Sequence, residues 1–357
     1  MNNYITINKK KIGDKYPCYF IADIAANHDG SLNKAIDLIN LAKESGADAA
    51  KFQHFKAETI VSDYSFKSLG QKKLSHQSKW KKSVFQVYKE AEFNLKWTSI
   101  LKKECDKIKI DFFTSPYSKE LVNHVDKYVS AYKIGSGEIT WIEIIKYIAA
   151  KKKPYILATG ASNLKDVKRA VSAAYRINKK IAIMQCNTNY TASNENFKHI
   201  NLNVLKEYKK CFPGAVLGLS DHTLGHTTIL GAIMLGAKIF EKHFTINNSD
   251  IGPDHKFSMN PITWRQMIVS ARELEVAMGK GKKIIENNEK ETIIVQRRAV
   301  HSGRTIMKGE KINKRDLIYL RPCKKNGIEP YNYKKILNKT AKKKIVKNSM
   351  IILKDLY

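Results

Sequence analysis

The chain has 357 residues, of which 64 are Lys or Arg and 33 are Asp or Glu, giving a formal net charge of +31. This length is enough for about two domains with a sizeable core, and no apolar run approaches the ~18 residues of a membrane span. The N-terminus is polar and has no apolar signal core, so we expect a cytoplasmic protein with no membrane partner.

The positive charge is mostly lysine and is spread along the chain instead of being gathered in one arm. Such a charge favours anionic partners through long-range attraction. Because neither a base-stacking motif nor a basic recognition helix is present, specific nucleic-acid binding is not expected, and small anionic substrates fit the charge equally well. The 5 cysteines contain no C-x-x-C pair, so we expect buried thiols and neither a disulfide framework nor a zinc cluster.

From Cys18 to Met278, short apolar runs alternate with amphipathic stretches of helical period, which is the pattern of successive βα units. Eight such units predict an α/β fold, a closed (β/α)8 TIM barrel over residues 1–278 with an N-terminal extension over 1–17. The predicted strands are Tyr19–Ile24, Ala49–Gln53, Ile110–Thr114, Ala131–Ile134, Tyr155–Ala158, Ile181–Gln185, Ala215–Leu219 and Lys238–His243. The predicted helices include Leu32–Ser45, Trp141–Ala150, Lys165–Ile177, Thr227–Leu235 and Ile262–Met278.

The first two strands carry charged residues within apolar runs. Asp23 lies in the first strand, and because a buried carboxylate needs a partner, a functional role is favoured over a structural one. The second strand contains Lys51 and Gln53, which share one face by the two-residue period of a strand. The polar segment that follows, residues 55–80, is longer than a usual βα loop, and we interpret it as a substrate lid.

The third and fourth strands end in groups that suit an anion. Ser115 follows the third strand just before a helix, where hydroxyl and backbone donors can bind phosphate. The fourth strand supplies Lys133 and Ser136, and two glycines beside the serine let the backbone approach a ligand. This segment is the best candidate for an anion site.

The fifth and sixth strands end in neutral polar groups. Thr159 follows the fifth strand, and Asn189 and Tyr190 follow the sixth. The side chains of Asn189 and Tyr190 are hydrogen-bonding types that suit a polyhydroxylated ligand.

His222 and His243 lie near the ends of the last two strands, so in a parallel barrel both imidazoles can face one rim. This arrangement suggests a divalent metal, although two ordinary histidines with satisfied partners are the structural alternative. The neighbouring carboxylates Asp221 and Glu241 could orient the rings from behind. A metal with only two protein ligands keeps positions open for a carbonyl oxygen, so the site suits condensation of an anion with an aldehyde or ketone.

After Met278 the pattern changes. Residues 279–292 are rich in Gly, Lys and Asn and are interpreted as a linker. Residues 293–357 are expected to form a small, basic, β-rich domain. Its β-like runs are Ile293–Val295, Leu317–Leu320, Lys344–Val346 and Met350–Leu353.

Taken together, the motifs closely resemble the bacterial sialic acid (N-acetylneuraminate) synthase family, which includes legionaminic and pseudaminic acid synthases. They are Asp23-Ile-Ala-Ala-Asn-His-Asp-Gly30, Lys51-Phe-Gln53, Tyr132-Lys-Ile-Gly-Ser-Gly-Glu138, Gly218-Leu-Ser-Asp-His-Thr223, Glu241-Lys-His-Phe244 and Gly252-Pro-Asp254. The region around Leu320-Arg-Pro322 is similar to the C-terminal antifreeze-like (SAF) domain of that family. The resemblance implies condensation of phosphoenolpyruvate with an N-acyl-hexosamine aldehyde, with C–O bond cleavage, to give a nine-carbon 2-keto sugar acid and phosphate.

The resemblance also implies roles for individual residues. His222 and His243 would hold a divalent ion, Mn2+ by preference, with Mg2+ or Co2+ as alternatives. The phosphoenolpyruvate ligands would be Lys51, Lys133, Ser136, Ser220, Ser115 and Thr159. The sugar ligands would be Gln53, Asn189, Tyr190, Asp254 and Arg321. A homodimer is implied as well, in which the C-terminal domain covers the barrel of the partner.

Two departures leave the sugar and one catalytic role open. Asp23 stands where the family commonly has the longer glutamate, so its role as general base is an expectation only. The 55–80 insertion and the sequence that follows Cys186 differ from the family pattern. Both lie where the distal substituents of the sugar should bind. A metal-dependent sugar aldolase or isomerase on the same barrel is the main alternative, and a polyanion-binding protein is a weaker one.

Overall fold

A computed structural model describes residues 3–69, 77 and 80–357. The contacts divide the chain into two compact units, Met1–Gly279 and Lys280–Tyr357, one residue beyond the predicted end of the barrel domain. No helix in the described ranges combines the length and the apolar character that crossing a membrane requires.

The first unit contains eight parallel strands that form one sheet in the order β5-β4-β3-β10-β9-β8-β7-β6. The strands are β3 (Tyr19–Asp23), β4 (Ala49–His54), β5 (Asp111–Pro116), β6 (Tyr132–Ile134), β7 (Tyr155–Ala158), β8 (Ile181–Cys186), β9 (Val216–Asp221) and β10 (Ile239–His243). The two end strands, β5 and β6, lie in contact, so the sheet closes on itself. The predicted TIM barrel is confirmed, and the observed strand bounds lie within two residues of the predicted ones.

Helices follow the strands and surround the barrel. In the first unit they are α1 (Leu32–Glu44), α2 (Ala57–Ile60), α3 (Asp63–Ser68), α4 (Val84–Glu90), α5 (Trp97–Ile108), α6 (Lys119–Val125), α7 (Ile142–Ala150), α8 (Leu164–Tyr175), α9 (Val204–Cys211), α10 (Thr227–Met234) and α11 (Pro261–Ala277). Side-chain caps fix several helix starts: the side-chain oxygen of Asn163 accepts from the backbone N–H groups of Lys165 and Asp166.

Each strand buries both of its faces, and alternate residues point to different layers. In β3, Phe20 and Ala22 pack under the helices, whereas Tyr19 and Ile21 point into the barrel. Continuing this alternation puts Asp23 on the interior side, at the carboxyl end of its strand. The same two-residue alternation places the functional side chains of the other strands. It therefore decides which residues reach the barrel mouth.

The N-terminal extension forms a hairpin, β1 (Tyr4–Ile7) and β2 (Lys10–Gly13). Ile5, Ile7 and Ile12 are buried in the same cluster as the barrel-interior side chains, so the hairpin closes the end of the barrel opposite the strand termini that carry the polar groups. The sequence analysis gave this extension no structural role, although the alternation of Ile5 and Ile7 with polar residues is typical of a half-buried strand.

The second unit is built around the antiparallel pair β11 (Ala299–Ser302) and β12 (Leu317–Leu320). The predicted strand at Ile293–Val295 is wrong, because Thr292–Gln296 is a short helix, α12. Three apolar residues in a row fit a helical turn as well as a strand. The last two predicted runs contribute only isolated bridges, at Ile345 and Met350.

His54 anchors strand β4 from its outer face and should make folding pH-dependent. Its Nδ1 lies 2.6 Å from the Thr114 hydroxyl and its Nε2 2.9 Å from the Thr98 hydroxyl. Burial lowers its pKa to about 3, so the folded state keeps this ring neutral, whereas the unfolded chain binds a proton near pH 6.5. Stability should therefore fall as the pH drops below about 6.5, by up to about 1.4 kcal/mol per pH unit for this one group.

The experiment measures the free energy of unfolding in urea for the wild-type protein and for His54→Gln at several pH values from 7 to 5. We expect the free energy of the variant to depend less steeply on pH, because the contribution of His54 is lost and only that of the other buried histidines remains. An identical slope in both proteins would show that His54 is protonated to the same extent in the folded and unfolded states.

Candidate active site at the carboxyl ends of the strands

A cavity of about 470 Å3 lies at the carboxyl ends of the barrel strands, the location of active sites in barrels of this type. Every one of the eight strands contributes an interior side chain to its lining. They are Asp23, Lys51 and Gln53, Ser115, Lys133, Ala158, Cys186, Ser220, and Glu241 with His243. The predicted convergence of these segments on one mouth is therefore present in the structure.

Two buried lysines and two carboxylates form an alternating charge cluster at the base of the cavity. Lys51 Nζ lies 2.5 Å from Asp23 Oδ2, and Lys133 Nζ lies 2.8 Å from Glu241 Oε1. The second oxygen of Glu241 is 4.0 Å from Lys51, and Ser220 donates a hydrogen bond to Glu241 Oε1. Buried charges of this kind need partners. Glu241 therefore pairs with the two lysines. This corrects the prediction that Glu241 orients the histidine rings.

The cluster also fixes the protonation of Asp23. Burial alone would raise the pKa of this carboxyl, but Lys51, with His243 and Lys133, outweighs it and gives a pKa of about 2. Its Oδ2 is close to Lys51 and 3.3 Å from the amide nitrogen of Gln53, and its Oδ1 accepts from the backbone N–H of Ala25. A carboxylate with so low a pKa is a weak base at neutral pH.

The two predicted metal ligands face each other across the cavity, with ring centroids 5.4 Å apart. Burial lowers the pKa of His243 to about 3, so its ring is neutral, and among the described residues its buried Nδ1 has no hydrogen-bond partner. The His222 Nδ1 lies 2.9 Å from the Asn187 carbonyl oxygen, which requires a proton on Nδ1. Burial lowers the pKa of His222, but a hydrogen bond with Cys186 outweighs this effect and raises the pKa above its usual value. Two adjacent imidazoles, one of them neutral with an unsatisfied buried nitrogen, fit a divalent ion.

The carbonyl of Asn187 holds the ring of His222, which is the task predicted for Asp221. Asp221 lies on the outer face of β9, where its carboxylate accepts hydrogen bonds from Lys242, Thr223 and Thr228. The prediction of a direct contact between Asp221 and the His222 ring was wrong, because a residue directly before His222 points to the opposite face of the strand.

Thr159 and Asn189 also lie away from the cavity. The Thr159 hydroxyl donates to the Met184 carbonyl oxygen and lies 2.8 Å from the Tyr208 hydroxyl, so it faces the helix layer. Asn189 is exposed and accepts a hydrogen bond from Thr191. Arg321 is exposed in the second unit, directly after β12.

Five of the six predicted phosphoenolpyruvate ligands line the cavity: Lys51, Lys133, Ser136, Ser220 and Ser115. The buried Ser115 hydroxyl has no hydrogen-bond partner within the described part of the chain, which marks it as a group that can bind a ligand. Ser136 accepts a hydrogen bond from the backbone N–H of Gly160. A Cβ at Gly135 would meet the Tyr117 hydroxyl at 3.0 Å, so a side chain there would crowd this wall.

An apolar wall of the cavity is formed by Phe55, Ile60, Trp80, Val87 and Ala91. Phe55, Ile60 and Trp80 come from the predicted lid, Val87 lies in α4, and Ala91 directly follows that helix. The Phe55 ring packs against Tyr88 at 5.5 Å and against Tyr117 at 6.2 Å between centroids. The rest of the predicted lid, residues 70–76, 78 and 79, lies outside the described residues.

Gln53, Tyr190 and Asp254 from the predicted sugar site all line the cavity. Tyr190 packs edge-on against His222 with ring centroids 4.4 Å apart. Asp254 accepts from the backbone N–H of Ala26, and burial raises its pKa to about 6.

Glu138 and Cys186 are among the polar groups of the cavity that were not predicted from the sequence. Glu138 is a half-buried carboxylate whose pKa is raised by burial. Cys186 occupies the interior position that follows Met184 in β8. The two-residue period of the strand could have predicted this position for Cys186, whereas Glu138 lies in a turn that has no such period.

A further group of possible metal ligands, Asp29, Asp250 and His255, lies among the loops beside the cavity. Lys34 Nζ is 2.5 Å from Asp29 and 2.7 Å from Asp250, and His255 Nε2 is 3.0 Å from Asp29. Because the ammonium group of Lys34 already forms a salt bridge with both carboxylates, we interpret this group as a structural link between loops.

Comparison with known proteins places this barrel in one family. The model of the NeuB family matches residues 38–283, and the SAF domain model matches residues 297–356. The chain is 34% identical over 335 residues to the N,N'-diacetyllegionaminic acid synthase of Campylobacter jejuni subsp. jejuni serotype O:2, covering 93% of this chain and 98% of that protein. It is also 34% identical over 327 residues to the protein of the same name from Legionella pneumophila, covering 90% and 89%.

A solved structure supports the same assignment. The N-acetylneuraminic acid (sialic acid) synthetase of Leptospira borgpetersenii serovar Hardjo-bovis, in complex with citrate, matches with a TM-score of 0.70 and 28% identity, over 82% of this chain and 96% of that one. The family match spans most of the barrel, and the chain therefore belongs to the NeuB family of acid synthases.

Proposed function

We propose that the protein condenses phosphoenolpyruvate with an N-acyl-hexosamine aldehyde, in the presence of a divalent ion, to give a nonulosonic acid and inorganic phosphate. The observation that carries this proposal is the presence of two buried lysines and two adjacent imidazoles in one cavity. An aldolase or isomerase with a neutral sugar substrate would have no need for the lysine pair.

The lysine side of the cavity suits phosphoenolpyruvate. Lys51 and Lys133 supply the positive charge, and the hydroxyls of Ser115, Ser136 and Ser220 supply donors to phosphate and carboxylate oxygens. Fixed cations around the reacting carbon also stabilise the charge that develops there, at no cost of reorganisation.

The reaction forms one carbon–carbon bond and one carbon–oxygen bond to water, and it breaks the carbon–oxygen bond to phosphate; of the two protons of that water, one goes to the former aldehyde oxygen and one to the phosphate. Carbon 3 of phosphoenolpyruvate attacks the aldehyde carbon, water adds to the cationic carbon 2, and phosphate leaves with the bridging oxygen. A divalent ion held by His222 and His243, Mn2+ by preference, would polarise the aldehyde oxygen. Asp23 remains ionised and holds Lys51 and Gln53, which favours a role in positioning over one in taking up a proton.

The apolar wall favours a sugar with acyl groups. N-acyl methyl groups can bury apolar surface against Phe55, Ile60 and Val87, whereas a hydroxyl placed there would lose hydrogen bonds to water. The two relatives at 34% identity are both named for a product with two N-acetyl groups. We therefore propose a 2,4-diacylamino hexose as the first candidate and N-acetylmannosamine as the second.

We also propose that two copies associate and that Arg321 takes part in sugar recognition. Arg321 is exposed after β12, in the SAF domain. Substitution by alanine should then raise the KM for the sugar more than that for phosphoenolpyruvate.

The test is phosphate release from phosphoenolpyruvate labelled with 18O in the bridging position, with Mn2+ and a panel of N-acyl-hexosamines. We expect release only when phosphoenolpyruvate, sugar and metal are all present, with the label in the phosphate. Absence of release with every sugar, or a label that stays in the organic product, would contradict the proposal.

A further inference from the structure

We infer that Asp221 and Lys242 form a positioning clamp that sets the distance and orientation of His222 and His243. The inference rests on the proposed role of the two histidines as metal ligands. Neither clamp residue lines the cavity, so their effect on the reaction is indirect.

The clamp residues precede the histidines directly in the chain. Asp221 and Lys242 are cross-strand partners in the ladder between β9 and β10, and each is followed by one of the histidines. Their side chains form a salt bridge on the outer face of the strands and are 0% and 1% exposed. The last residue pair of this ladder before the histidines is therefore joined by a salt bridge.

The clamp also fixes the backbone on both sides of His222. The Asp221 Oδ1 accepts from the backbone N–H of Thr223 at 3.2 Å, which closes a turn around the histidine. Lys242 Nζ donates to the Thr223 carbonyl oxygen at 2.7 Å. The Thr228 hydroxyl, in the first turn of α10, donates to Asp221 Oδ2 at 2.7 Å.

These contacts go beyond what stability requires. An apolar pair of similar volume can stabilise a buried position as well as an ion pair does. Directed hydrogen bonds offer a fixed geometry, because each donor and acceptor is satisfied only in one arrangement. Here that arrangement includes the turn that carries one imidazole and the strand that carries the other.

The experiment measures Mn2+ affinity of the metal-free full-length protein by calorimetry and by the electron paramagnetic resonance signal of free Mn2+. Asp221→Asn keeps the shape of the side chain but removes its charge and one acceptor. We expect Mn2+ binding to weaken by roughly 10- to 100-fold, the usual effect of removing an outer partner of a metal ligand.

Asp111→Asn is the matched control. Asp111 is a buried carboxylate at the start of β5 that accepts from Tyr19 at 2.7 Å and from Asn8 at 2.6 Å. This substitution should lower the melting temperature but leave Mn2+ affinity unchanged. Equal weakening of Mn2+ binding in both variants would show only a general loss of structure and would overturn the clamp.

Thr228→Val provides a milder variant that keeps the ion pair and removes one hydrogen bond to Asp221. It should weaken Mn2+ binding by about threefold, and an unchanged affinity in both Thr228→Val and Asp221→Asn would overturn the clamp. Failure of the wild-type protein to bind Mn2+ would instead overturn the proposed metal site, so the two failures are distinguishable.

Discussion

Replacing His243 by alanine should abolish turnover and Mn2+ binding while the protein stays folded. The ring is buried and neutral, no described residue forms a hydrogen bond with its Nδ1, and its Nε2 lies 3.6 Å from Asp23. Loss of one of two protein ligands should release the ion, and with it the several kcal/mol by which a metal stabilises the developing charge. We expect kcat to fall by at least about 10^3-fold.

The control for this prediction is His226→Ala. His226 lies at the start of α10, outside the residues that line the cavity, and should leave kcat and Mn2+ binding unchanged. Circular dichroism and thermal unfolding would establish that both variants are folded. Retention of more than a few per cent of wild-type activity by His243→Ala at low metal concentration would contradict the ligand role.

The second large effect is expected for Lys133→Met. Methionine is similar in length but removes the cation that lies 2.8 Å from Glu241, so the anion site loses about half of its positive charge. Removal of one preorganised electrostatic partner commonly costs about 10^2- to 10^3-fold in rate. We expect a loss of this size in kcat/KM for phosphoenolpyruvate, with a much smaller change in the KM for the sugar.

Lys10→Met is the control for Lys133→Met, because Lys10 lies in the N-terminal hairpin and pairs with Asp111 at the start of β5. It should leave both KM values unchanged. If the Lys133→Met protein binds phosphoenolpyruvate normally but has lost affinity for the sugar, Lys133 belongs to the sugar site and the prediction is contradicted.

Much of the site follows from the two-residue period of the strands. Once Tyr19 and Ile21 are placed inside the barrel, Asp23 must follow them, and the same count places Lys51 and Lys133 at the mouth. Residues that end strands are therefore predictable from sequence when their phase is known.

The wrong predictions for Thr159 and Asp221 also follow from the two-residue period of the strands. Thr159 and Asp221 follow interior-facing neighbours, so they point outward into the helix layer, where their hydrogen-bond partners lie. Polar residues at strand ends were predicted to line the site whichever face of the strand they occupy. Asn189 lies in a loop and Glu138 in a short 3-10 helix, and neither has the two-residue period that would indicate the direction of its side chain.

Other features depend on packing that a local pattern does not contain. The apolar wall is formed by residues up to 36 positions apart, which only the tertiary fold brings against one cavity. Likewise, the hairpin β1–β2 becomes ordered because its isoleucines fill the end of the barrel. The sequence indicated the unusual length of the insertion but not the surface that it would form.

The most direct test of the central claim is a crystal structure of the protein with Mn2+ and phosphoenolpyruvate, with the metal located by its anomalous scattering. We predict one anomalous peak between His222 and His243, and phosphoenolpyruvate density in contact with Lys51 and Lys133. A peak elsewhere, such as at Asp29, Asp250 and His255, or phosphoenolpyruvate density away from the two lysines, would contradict this account.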